Sequence, residues 1–145
     1  MPVKIQRFFR LTRAELFIFI LACIISIKHS IITAILPMRS YMSKMGDKGK
    51  ESPHELIINE LVYAKTVELT IRRVQKYLPF KIKCFAAALT AKELLAKRNI
   101  HSTIYLGVKK GNGDKMIAHA WLRCGDIIVT GKEEMGNFTS LVFFS

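Results

Sequence analysis

Two residues of this chain have types that could do acyl-transfer chemistry together. Cys84 stands in Pro79-Phe80-Lys81-Ile82-Lys83-Cys84-Phe85-Ala86-Ala87-Ala88-Leu89, and His119 follows 35 residues later in Ala118-His119-Ala120-Trp121. The stretch after Cys84 reads as a helix, which puts the thiol at a helix N-terminus. There it faces unsatisfied N–H groups and the positive end of the macrodipole, which favour thiolate over thiol. Lys81 and Lys83 push the same way. A histidine on a nearby strand can take the thiol proton and later return it to a leaving amine. Distance in sequence is no obstacle, because such a pair meets through the fold. A lone buried cysteine is more often inert packing, so the surrounding residues carry weight.

Those residues form a set of words: Pro79-Phe80, Ala87-Ala88-Leu89, Leu94-Leu95-Ala96-Lys97-Arg98-Asn99-Ile100, Tyr105-Leu106-Gly107-Val108 and Ala118-His119-Ala120-Trp121-Leu122. In order and spacing they resemble the transglutaminase-like leader peptidases of lasso-peptide biosynthesis. The likeness is to the short, stand-alone form of the B protein, similar to the C-terminal half of the microcin-processing B protein, and it covers Ser52 to Phe144. The resemblance implies an α+β fold with a papain/transglutaminase-like core, Cys84 as nucleophile and His119 as its base. It implies a peptidase that cuts the leader from a ribosomally made precursor peptide. A separate leader-recognition protein would deliver the precursor, and an ATP-dependent macrolactam cyclase would receive the core peptide. The peptidase itself should need no cofactor and no metal. Acyl transfer to a lysine instead of water is a variant with the same thioester.

A third group usually fixes the tautomer of a catalytic histidine and stabilises its imidazolium. The family places an aspartate about twelve positions after the histidine, and here that position is Gly131. Register arithmetic leaves the replacement open. A hairpin turning at Cys124-Gly125 sets His119 opposite Thr130, and one turning at Gly125-Asp126 sets it opposite Lys132. Thr130 or a backbone carbonyl, Glu133 or Glu134, and Asp126 all remain candidates. Asp126 would have to act from several residues along the strand, at roughly 3.3 Å each. Asn59 and Gln75 could each donate to an oxyanion. Trp121 is either a cleft wall or a core residue, and Cys124, His29, His54 and His101 read as packing or surface residues.

The elements that must position this chemistry fit one domain of 145 residues. Half the residues are hydrophobic and 23% are charged, which excludes disorder. Net charge is +12, of which residues 1–50 contribute +7, so an anionic partner is expected. Nucleic acid lacks support, since no finger spacing or aromatic-interleaved basic strand accompanies the charge. Three cysteines and four histidines make neither a disulfide framework nor a zinc pattern. A reducing cytoplasm suits them.

Residues 1–50 read as a basic, apolar N-terminal helical segment, and 51–145 as the transglutaminase-like cysteine protease domain. Leu16 to Leu36 is apolar apart from Lys28, His29 and Ser30, and Arg7, Arg10 and Arg13 precede it. Its 21 residues would just cross a bilayer. Packing on the domain, peripheral attachment to the inner face of the cell membrane, and a true span are the three readings. Ser52-Pro53-His54-Glu55 predicts a capping box for a helix whose apolar residues run from Leu56 to Leu78, stopped by Pro79. A second helix runs from Ile82 to Lys97. Alternation then predicts strands near Thr103–Val108, Lys115–Arg123, Ile127–Val129 and Phe138–Phe144. Helices followed by an antiparallel sheet make an α+β domain. The competing reading is a non-catalytic scaffold of the maturation complex that retains the fold.

Overall fold

Thr12 and Glu15 begin the first helix by exchanging bonds. The Glu15 N–H donates to Thr12 Oγ1 at 3.2 Å and the Thr12 N–H to the Glu15 carboxylate at 3.0 Å. In the computed structural model, which describes residues 11–145, helix α1 then spans Arg13–Ile35. Arg7 and Arg10 of the expected basic flank lie outside the described residues. Ile18, Phe19, Ala22, Ile25 and Ser26 bury one face of α1, against the two helices that follow. The helix is long and apolar enough to cross a membrane.

Two single-turn 3-10 segments, Met38–Ser40 and Met42–Met45, return the chain to the domain. Residues 46–49 then lie along the last strand. The Asp47 and Ser145 backbones bond reciprocally, and the Gly49 N–H donates to the Phe143 carbonyl at 2.9 Å.

Helix α2 spans Ile58–Tyr77 and helix α3 spans Cys84–Ala96. The expected capping box at Ser52–Glu55 is corrected, because Ser52 is used elsewhere. Its N–H donates to Thr103 Oγ1 at 2.7 Å and its carbonyl accepts from Arg123 at 2.9 Å, which holds the segment extended. Glu60 caps α2 instead, taking the Ile57 N–H at 3.1 Å. The restricted backbone before Pro79 ends the helix as expected.

The sheet is antiparallel, in the order β3-β2-β1-β4. Strand β1 is Thr103–Lys110, β2 is Met116–Cys124, β3 is Ile127–Thr130 and β4 is Thr139–Phe144. A short helix α4, Lys132–Met135, joins β3 to β4 and was not expected from the sequence. Helices α2 and α3 cover the sheet. Val67, Ile71 and Val74 of α2 meet Ala86–Ala88, Ala91, Leu94 and Leu95 of α3, over Ile104, Ala120, Leu122 and Val129. The alanines of α3 matter because small side chains let a helix approach a sheet closely. The architecture is the α+β order anticipated, helices first and then the sheet.

Candidate active site

Cys84 is the first residue of α3, with Lys83 at the N-cap in an extended conformation. The first N–H groups of any helix have no intrahelical acceptor, and no side chain caps them here. Partial exposure leaves the thiol reachable. The other two cysteines differ. Burial pushes the Cys124 thiol up to about 11, with Glu60 adding to the effect, and burial also raises that of Cys23. Both stay protonated and inert.

His119 comes from the middle of β2, on the face it shares with Trp121 and Arg123, while Ala120, Leu122 and Cys124 enter the core. The imidazole is only 7% exposed. Phe138 packs on it, with ring centroids 4.9 Å apart. Its Nε2–H donates to the Gly131 carbonyl at 3.0 Å. A carbonyl can only accept, so this bond assigns the proton to Nε2 and leaves Nδ1 as the basic nitrogen. The carboxylate of Glu134, on α4, is 3.9 Å from Nδ1.

Cys84 and His119 line one cleft of about 560 Å³ between α3, the end of α2 and the β2–β3 edge. Gln75, Lys81, Lys83, Thr130, Gly131 and Lys132 line it too. Gln75 is therefore at the cleft, whereas Asn59 lies in a separate groove between α1 and α2. Trp121 stacks on Tyr105, with centroids 5.6 Å apart, and packs in the sheet instead of walling the cleft.

The group that holds His119 is the backbone carbonyl of the residue standing at the family's aspartate position. Of the candidates weighed from sequence, Thr130 has a buried hydroxyl with no partner. Asp126 is bound to His54 at 2.7 Å. The constant-register arithmetic failed because the hairpin carries a bulge: it turns at Gly125-Asp126, yet Leu122 pairs with Thr130. Pairing ends at Leu122–Thr130, and Gly131, next in the chain and turning out of the strand at φ 76°, lies against Ala120 and Trp121 with its carbonyl within reach of His119. A glycine directly after a strand is the signal that points there, since Gly131 has φ 76°.

His29 meets Glu93 at 2.8 Å. Among the described residues no group of three or more His, Cys, Asp or Glu could hold a metal. The cleft gathers a part-exposed thiol, an imidazole and the open N–H groups of a helix start, the group types that thiol acyl transfer uses.

Comparison with protein families matches the chain to the transglutaminase-like superfamily over residues 31–142. No curated protein and no solved structure matches the chain.

Proposed function

Because the chain belongs to the transglutaminase-like superfamily, we propose that it is a cysteine peptidase which removes the leader from a lasso-peptide precursor. The observation that carries the chemistry is the shared cleft of Cys84 and His119, with His119 held by Gly131 so that Nδ1 is the base. The leader specificity rests on the sequence words around these two residues.

In the proposed reaction His119 Nδ1 takes the Cys84 proton as sulfur attacks the leader's scissile carbonyl. The tetrahedral oxyanion lies toward the N–H groups that open α3. Collapse breaks the C–N bond, and the imidazolium gives its proton to the departing amine of the core peptide. Water, deprotonated by the same nitrogen, attacks the thioester, frees the leader carboxylate and returns the thiol. A leader-recognition protein brings the precursor, and an ATP-dependent cyclase takes the released amine. All three act on the cytoplasmic side.

The test uses intact-protein mass after iodoacetamide treatment near pH 6, and cleavage of a precursor co-expressed with the recognition protein. Rapid single labelling at Cys84, slowed about tenfold or more by His119→Ala, is the expected result. Cys84→Ala should end cleavage while leaving the complex intact. Cleavage that survives Cys84→Ala overturns the reading in favour of a scaffold.

A further inference from the structure

The outward face of α1 is a continuous uncovered apolar surface. Phe17, Ile20, Ile24, Ile27, Ile31 and Ile35 are 40–72% exposed. Their three- and four-residue steps make one stripe roughly 27 Å long. An exposed apolar surface of this extent marks a docking face.

The opposite face of α1 is committed to the core through Ile18, Phe19, Ala22 and Ile25. Midway along, the Glu93 carboxylate of α3 holds both Lys28, at 2.5 Å, and His29, at 2.8 Å. The helix is thus fastened lengthwise to the body, with its stripe facing outward. Cations frame both ends of that stripe. Arg13 lies one turn before Phe17, and Lys97 and Arg98 line a groove of about 760 Å³ with Phe17. Exposed Arg39 and Lys44 follow Ile35.

We propose that α1 docks the protein in the plane of an anionic bilayer surface. Its stripe sinks into the boundary between headgroups and acyl chains, and the flanking cations meet lipid phosphates. The inference stands apart from the chemistry at Cys84. Two other occupants fit this helix less well. A span would pull Ala22, Ile25 and Ser26 out of the core and part Glu93 from Lys28 and His29. A second copy could use the stripe as a coiled-coil seam, but the flanking Leu16, Cys23, Ser30 and Leu21 offer no complementary charges. Two copies at +12 each also repel.

The experiment is co-sedimentation of the full chain with phosphatidylcholine vesicles, with and without about one third phosphatidylglycerol. Binding should be about tenfold tighter to the anionic vesicles, and alkaline carbonate should release it. Ile24→Glu/Ile31→Glu, with an unchanged circular dichroism spectrum, should weaken binding about tenfold or more. Lys97→Glu/Arg98→Glu, which spares the stripe, should reduce the anionic preference if the first variant misfolds. Binding indifferent to these changes, resistance to carbonate, or a lipid-free dimer abolished by Ile24→Glu/Ile31→Glu overturns the proposal. Thiol labelling at Cys84 in lipid-free solution reads the chemistry separately, so the two failures are distinguishable.

Discussion

At Gly131 two demands coincide. The backbone has φ 76°, and a Cβ there would lie 2.7 Å from the Ala120 carbonyl and 3.0 Å from His119 Nε2. Gly131→Ala is therefore expected to cost about 1–3 kcal/mol and to move the carbonyl that fixes the His119 tautomer. A calorimetric melt should show the lower Tm. The rate of Cys84 alkylation should fall further than stability alone explains, whereas a purely structural glycine would leave that rate unchanged in the folded fraction. A carbonyl carries only a partial charge, so it orients an imidazole while stabilising the imidazolium less than a carboxylate would. The sequence shows glycine where the resemblance to leader peptidases leads one to expect an aspartate. A backbone carbonyl is among the candidates, but the sequence does not show which one, because it is presented where the chain turns out of the strand at Gly131 and backbone atoms have no letter code.

Helix α3 carries the thiol at its start and a half-buried cation midway. Lys92 Nζ donates to the Ser102 carbonyl at 2.6 Å, and burial brings its pKa down from the ordinary 10.5 to about 8. Below about pH 8 the lysine is charged in both folded and unfolded chains, and its burial penalty is felt in full. Between about 8 and 10.5 the unfolded chain binds more protons, so this group makes stability rise with pH. After discounting for partial exposure the rise is on the order of 1–2 kcal/mol. Urea denaturation of wild type and Lys92→Met across that window should differ by this slope. Parallel curves would show that Lys92 titrates normally. The existence of α3 is legible from Ala86–Leu95, as is that of α2 from its apolar steps. The start of α2 is not, because Ser52 has a local capping use and a tertiary bonding use, and the tertiary one prevails. Three buried hydrogen bonds, two to Thr103 and one from Arg123, hold it, whereas a cap on the surface contributes about 1 kcal/mol.

Across the molecule, Arg123 joins parts that are far apart in sequence. Its guanidinium, on an 8%-exposed side chain, donates to the Ser52 carbonyl at 2.9 Å, the Gly125 carbonyl at 2.7 Å and the Tyr105 hydroxyl at 3.0 Å. Arg123→Met would leave these acceptors buried without a donor, and a loss of about 2–5 kcal/mol is expected in urea denaturation. A loss within about 0.5 kcal/mol would mean that water replaces the guanidinium. By itself the sequence determined the α+β order, the four strands and the residue types of the cleft. Periodicity and helix-breaking residues act between near neighbours, and the Cys84 and His119 words stand in local stretches. Only the tertiary structure decided that Gly131 holds His119, that Gln75 and not Asn59 reaches the cleft, and that α1 buries one face while leaving the other bare. Each of these depends on register and on which helix face meets the core, and both are set by contacts between residues dozens of positions apart.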